Sequence, residues 1–252
     1  INTHSIYKSN FSRLIENNFS EKSAIKNITF ENSLVTQGEG FSAQLGTIVK
    51  FNSFRLGLSY QSPTWYSLWD ETYQYIETNS QDLDGNTFQD KIDPRVTNRY
   101  PEYKITSPSV LTASTAFVFG KIGLISLDIV SKDNSKIKLR PTNDFSFNNN
   151  EINTKLTNTL DFRLGTEFRL EKISLRGGYQ FYDSPYKDSK IMEDYSTLAF
   201  GCGYDFGDTV LNLSHKISES KRKHQSFDSG LTDLTQIDSN TSFSTLSLIF
   251  KF

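Results

Sequence analysis

The chain has 252 residues, 36% hydrophobic and 13% aromatic, and its 27 basic and 29 acidic side chains leave a net charge of −2. That balance argues against a nucleic-acid partner, which needs a clustered excess of Lys and Arg, and Cys202 as the single cysteine rules out a disulfide framework or a cysteine-based zinc site. Mean hydropathy is −0.49 and there is no apolar run of about 18 residues, so no transmembrane helix is expected; strands that cross a membrane escape this test, being apolar only at alternate positions.

The first 40 residues predict an extracellular loop with a short helix. Ser9 or Asn10 can cap it, and Phe11, Leu14 and Ile15 fall at helical spacing. From residue 41 the period changes to two. Segments 41–51 and 54–60 alternate, as do 111–119 and 123–129. The clearest stretch is LTNTLDFRLGTEFRL. There Leu160, Phe162, Leu164, Phe168 and Leu170 share one face, and Asp161, Arg163, Glu167 and Arg169 share the other. Ile173, Leu175, Tyr179 and Phe181 then oppose Ser174, Arg176, Gly178 and Gln180. Leu198, Phe200, Cys202, Tyr204 and Phe206 repeat the pattern, Leu211 and Leu213 continue it, and FSTLSLIFKF ends the chain on Phe252.

These segments make about nine strands with connections of two kinds. Tight turns fall around residues 52–53, 120–121, 171–172 and 207–208, and long polar connections at 63–102, 132–150, 185–192 and 219–234. Short and long alternate strictly, as in an outer-membrane barrel with periplasmic turns and extracellular loops. The Leu/Phe face suits lipid. Asp161, Arg163, Glu167, Arg169 and Arg176 suit a hydrogen-bonded lumen, and aromatics near strand ends suit an interfacial girdle. The expected fold is therefore all-β, a transmembrane antiparallel β-barrel of a Gram-negative outer membrane, with residues 41–252 its carboxy-terminal strands and 63–102 a long extracellular loop. Odd parity makes residue 41 start outside the cell, which, with a start at Ile1 and no signal-peptide pattern, predicts further strands upstream.

GEGFSAQLGTIVKFNSFRLGLSYQSPTWYSLWDETY (38–73) resembles the FadL/TodX family of transporters for long-chain fatty acids and other hydrophobic compounds, in its Bacteroidota-like branch. NTLDFRLGTEFRLEKISLRGGYQFYDSPY (158–186) is similar to a later hairpin of that family, and the terminal Phe250 and Phe252 match its assembly signal. The resemblance implies a barrel of about fourteen strands, of which about nine are present, and a hatch that lies upstream. It implies passive uptake, with no cofactor. The partners it implies are membrane lipid and lipopolysaccharide, a hydrophobic small molecule, and the barrel-assembly machinery. The alternative function is a structural subunit of an outer-membrane secretion or assembly complex.

Trp65, Leu68, Trp69 and Tyr73 form an aromatic cluster that offers either a landing site for an amphipathic ligand or girdle packing. By loop order in the family, Phe11, Leu14 and Ile15 would supply the groove's other wall. DLDGNTFQD (82–90) carries glycine at the wrong position for a calcium loop and reads as a turn, and the KRKH run (221–224) reads as a solvated face or a contact for lipopolysaccharide phosphates. His4, His215 and His224 are scattered, without a nucleophile and an orienting acid beside them, so no catalytic residue and no enzyme is expected.

Overall fold

The computed structural model describes residues 1–20, 23–225 and 233–251. In chain order its strands are β1 (Asn2–Asn17), β2 (Ile25–Ser42), β3 (Gln44–Phe51), β4 (Phe54–Gln61), β5 (Trp65–Gln81), β6 (Thr87–Ile92), β7 (Asn98–Arg99) and β8 (Tyr103–Thr106). There follow β9 (Val110–Val118), β10 (Gly123–Asp133), β11 (Lys138–Arg140), the helix α1 (Ser146–Lys155), β12 (Asn158–Leu170), β13 (Ile173–Tyr182), β14 (Tyr195–Asp205), β15 (Thr209–Gln225) and β16 (Leu234–Phe250). The chain divides into two compact units: Ile1–Phe41, Trp65–Ile105 and Leu139–Asp144 in the first, the remainder in the second.

The second unit holds a nine-stranded antiparallel sheet in the order β16-β15-β14-β13-β12-β10-β9-β4-β3. These are the strands that the period-two pattern predicts. Their tight turns also fall where expected, and each has a residue with positive φ: Asn52, Gly120, Glu171 and Gly207. Such a residue gives a hairpin turn the twist of its flanking strands.

Burial on this sheet is the reverse of that in a water-soluble protein. On β12, Leu164 is 44% exposed and Phe168 46%, while Thr159 on the same strand is 3% exposed. Leu198 and Phe200 on β14 are each 50% exposed, while Thr197 is 3%. Among the described residues only Leu68, in the first unit, and Val130, in the second, are buried apolar side chains. A sheet with Leu and Phe outward and Thr covered loses its hydrophobic stabilisation in water but matches a hydrocarbon solvent. Aromatics mark the ends of the apolar band: Phe51 pairs with Phe54 across a turn, Tyr204 packs on Phe206 at 4.6 Å, and Phe162 meets Phe181 at 6.5 Å.

The first unit corrects the expected loops. The described residues of segment 1–40 form no helix: β1 and β2 make a hairpin, pinned by Arg13 to Glu31 at 2.7 Å and by Asn18 N–H to the Lys26 carbonyl at 2.7 Å. Segment 63–102 likewise carries β5, β6 and β7 rather than a loop, with β2 and β5 paired from Phe41 opposite Trp65 to Ile25 opposite Ser80. This sheet runs β1-β2-β5-β8-β11, with β6 and β7 also on β5. The helical spacing of Phe11, Leu14 and Ile15 is overridden because a neighbouring strand satisfies every second backbone group, whereas a lone short helix is marginal in water. The expected 219–234 loop is also shorter, since β15 continues to Gln225 and β16 begins at Leu234. The short helix of the long connections is α1, within the 132–150 region and just beyond it.

Two Ser-Pro steps end ladders in the second unit. After β4, Pro63 cannot donate to a neighbour; Ser62 instead pairs its N–H with the Ala43 carbonyl at 2.8 Å and accepts from Ala43 N–H on its Oγ at 2.9 Å. Before β9, Ser107 repeats the device with Thr64 at 2.9 Å in both directions.

Candidate functional site

Register decides what lies on the polar face of the nine-stranded sheet. One row of directly opposite residues reads Lys50, Arg55, Ala116, Ser126, Gly165, Gly178 and Ala199, crossing from β3 to β14. The adjacent row begins Ile48, Gly57, Ser114, Asp128 and Arg163. Side chains this small leave the face recessed. A cavity of about 620 Å³ lies there, with Gly46, Gly57, Ser59, Ser114, Ala116 and Ser126 in its walls and Arg55 and Asp128 also lining it. A second, of about 540 Å³, lies over Gly178, Ala199, Gly201 and Ser214. Both volumes are in the range of small-molecule sites, about 300–1,000 Å³.

The charged residues expected on this face divide into groups. Glu167 accepts from Arg169 Nε at 2.6 Å and stands 3.6 Å from Nε of Arg176, its cross-strand partner. Arg176 also donates to Asn212 Oδ1 at 2.7 Å, and nearby Lys251 pairs with Asp205 at 2.8 Å. These groups surround a cavity of about 330 Å³ next to the 171–172 and 207–208 turns. Asp161 stands apart and accepts from the Asp183 N–H at 3.2 Å; Arg163 faces Asp128 in register. Sequence reasoning found these charges but missed Lys50, Arg55 and the row of small residues. The signal was there in Thr112-x-Ser114-x-Ala116 and in Gly201-x-Gly203, small residues recurring at alternate positions.

In the first unit, strand alternation puts Trp65, Trp69 and Tyr73 on one face of β5 and Leu68 on the other. Trp65 stacks on Phe41 at 6.1 Å, the Arg99 guanidinium lies 5.2 Å from the Trp69 ring, and Tyr73 donates to Asp93 at 2.7 Å. That hydrogen bond raises the Tyr73 hydroxyl and lowers the Asp93 carboxyl. Tyr75, donating to Glu77, is pushed up to about 12. Leu68 is buried, opposite Gly38. Phe11, Leu14 and Ile15 are exposed on β1, with β2 between β1 and β5. Strand alternation also sends Leu14 to the face opposite Phe11 and Ile15.

The remaining features resolve locally. Asp82 accepts from the N–H of Asp84 at 2.9 Å and of Asn86 at 2.8 Å, and its second oxygen from the Asn86 side chain, so its carboxylate closes the turn. Lys221, Arg222, Lys223 and His224 lie on the extension of β15, facing Asp238, Ile237, Gln236 and Thr235 of β16. Phe250 is exposed at the end of β16, and Phe252 lies outside the described residues.

No protein-family model and no curated protein matches the sequence. Among solved structures, the chain is similar to the CymD monoaromatic hydrocarbon channel at 12% identity and a TM-score of 0.50, over 99% of this chain and 66% of that one. The Pseudomonas putida toluene transporter TodX matches at 11% identity and a TM-score of 0.38, over 99% and 70%. A Pseudomonas aeruginosa FadL homologue matches at 9% and 0.41, over 98% and 75%. The chain thus spans about two thirds of the length of CymD, and at 12% identity that likeness is one of fold. With its apolar face outward and its tight turns all at one end of the strands, the chain has the fold of a transmembrane antiparallel β-barrel of the outer-membrane type.

Proposed function

We propose that this chain forms much of the wall of an outer-membrane channel for the passive uptake of hydrophobic compounds, long-chain fatty acids among them. The observation that carries the proposal is the recessed polar face. A barrel built only for stability fills its interior with large side chains, whereas here Gly57, Ser59, Ser114, Ala116 and Ser126 keep a cavity of about 620 Å³ open beside a lipid-facing wall. Trp65 and Trp69, on one face of β5, are the first contacts for an incoming apolar molecule.

Adjacent residues on opposite faces test the reading. Ser114→Phe puts a ring into the cavity and Ala113→Phe adds the same ring to the outward face. Uptake of a radiolabelled hydrophobic compound by cells bearing the full-length protein should fall at least about tenfold in the first variant and by less than about twofold in the second. Equal uptake in both, at equal amounts of folded protein, removes the lumenal route. Trp65→Ala with Trp69→Ala should raise the concentration for half-maximal uptake several-fold while the folded barrel is retained; unchanged uptake removes the landing role.

A further inference from the structure

The apolar band is not equally tall on every strand. On β12 the outward residues are apolar from Leu160 to Leu170, with Thr166 the one exception. Those ten positions span roughly 25 Å along the membrane normal at about 2.5 Å per residue, the whole height of the band. On β16 the apolar outward residues are Leu246, Leu248 and Phe250, and four positions span roughly 10 Å. The β15–β16 register is unbroken from Thr209 opposite Phe250 to Gln225 opposite Leu234, so the outward pairs can be followed upward. Leu211 faces Leu248 and Leu213 faces Leu246; then His215 faces Ser244, Ile217 faces Ser242 and Glu219 faces Asn240. A histidine facing hydrocarbon is costly unless its nitrogens are met. Here Nδ1 lies 2.8 Å from Ser244 Oγ and Nε2 3.3 Å from Ser242 Oγ, so the polar column is a built feature of the outward face.

Above these pairs Lys221 faces Asp238 and Lys223 faces Gln236. On the other side of β15 runs the connection from β13 to β14, where Glu193 N–H donates to the Lys221 carbonyl at 3.1 Å and Lys223 N–H to the Ile191 carbonyl at 2.8 Å. Ser184 holds that connection in place, its N–H donating to Asp194 at 2.7 Å and its hydroxyl to the Met192 carbonyl at 2.8 Å. Lys190 is thereby brought to a small recess that Lys221, Lys223 and Gln236 also line. Lys221 lies ten positions beyond Leu211, roughly 25 Å higher and away from the periplasmic turns, at the level of outer-leaflet headgroups. Glu193, Glu219 and Asp238 lie among the three lysines, so the face has no net positive charge to attract any anionic surface. It offers hydroxyl, imidazole and amide groups with ammonium groups above them. A glycolipid headgroup, with hydroxyls and amides below its phosphates, is complementary to that order of groups, and a simple phosphodiester lipid is not.

We propose that the outward face of β15 and β16 binds the phosphorylated headgroup of an outer-leaflet glycolipid, the chemistry of lipopolysaccharide. The experiment is native mass spectrometry of the purified full-length protein in a neutral detergent, titrated with bisphosphorylated lipid A and separately with phosphatidylglycerol. The wild type should bind lipid A at least about tenfold more tightly than phosphatidylglycerol. Lys221→Gln with Lys223→Gln should weaken lipid A binding about tenfold, and Ser242→Leu with Ser244→Leu, which extends the apolar band, about threefold. Lys216→Gln removes a cation from the opposite face of β15 and should change binding by less than about twofold. If the double lysine variant does not fold, Lys223→Gln alone should weaken binding about threefold. Equal affinity for the two lipids, or lipid A binding that survives both double variants, overturns the site. So does a protein dimer that Ser242→Leu with Ser244→Leu dissolves while lipid A binding is unchanged, since a second copy would then cover the column.

Discussion

Replacing Leu164 by Arg distinguishes a lipid-facing sheet from a water-facing one, because the two solvents give the substitution opposite costs. Leu164 is 44% exposed, and in water an exposed position of this kind tolerates Arg within about 0.5 kcal/mol. In a bilayer the cost depends on depth. Leu164 lies six positions before Leu170, which precedes the 171–172 turn. A strand rising about 3.3 Å per residue at a tilt of about 40° climbs roughly 2.5 Å per residue along the membrane normal. Leu164 then lies roughly 15 Å above Leu170, near the middle of an apolar band about 25 Å tall. Arg at that depth costs about 2–4 kcal/mol, whereas at Leu170 it costs about 0–1 kcal/mol. The first is roughly a 30- to 900-fold change in the folding equilibrium. Equilibrium denaturation of the full-length protein in phospholipid vesicles, followed by heat-modifiable gel mobility, measures both. Two variants that each stay within about 0.5 kcal/mol of wild type would refute a membrane-facing β12.

Gly38→Val should destroy the β2–β5 pairing, because a Cβ at that position would stand 2.1 Å from the Ser67 carbonyl oxygen; limited proteolysis should then cut within residues 25–81 while the heat-modifiable barrel band remains. The β5–β6 hairpin should loosen in acid. Hydrogen bonds from Tyr75 and Tyr73 hold the carboxyls of Glu77 and Asp93 below their ordinary range. Depressed carboxyls contribute stability that is complete above the unfolded value of about 4 and is lost as pH falls through the lower folded values. Hydrogen exchange of the β5 and β6 amides should therefore be flat from about pH 7 to 5, once corrected for intrinsic rates, and rise below about 4; no rise in wild type, or an equal rise in Glu77→Gln, would count against it.

The barrel strands were legible because the bilayer imposes a rule on every second residue. Leu160 to Leu170 on β12 and Leu246, Leu248 and Phe250 on β16 must be apolar to meet lipid, and that requirement is visible in one sequence. No such rule acts on β1, β2, β5 and β6: β6 is exposed on both faces and β1 nearly so, while both faces of β2 and β5 are half-buried. On β1 the pattern Phe11, Arg13, Ile15 is a strand face carrying a cation, and Phe11, Leu14, Ile15 reads equally well as a helical stripe. Hydrogen bonds to β2 settle which one forms, and they depend on a register set by the hairpin that Asn18 and Lys26 close, outside the stripe itself. The ends of the barrel strands show the same boundary. Past about Ile129 on β10 and Ser218 on β15 the apolar requirement stops but the ladder continues, to Asp133 and Gln225.

The site divides in the same way, according to whether a residue's meaning is local. Asp161, Arg163, Glu167 and Arg169 advertise themselves as four charges on one face of a single strand. Lys50 and Arg55 do not, since each alone is an ordinary cation beside a turn. Their significance comes from what stands across from them. The 52–53 turn fixes Phe51 opposite Phe54 and therefore Lys50 opposite Arg55, and the pairing with β9 then sets Ala116 beside Arg55 where a carboxylate would have neutralised it. A sheet that places Glu167 between two arginines on β12 and β13 has the means to neutralise a pair of cations. At β3 and β4 it places Gly57, Ser114 and Ala116 around them instead, and the small side chains leave a cavity of about 620 Å³.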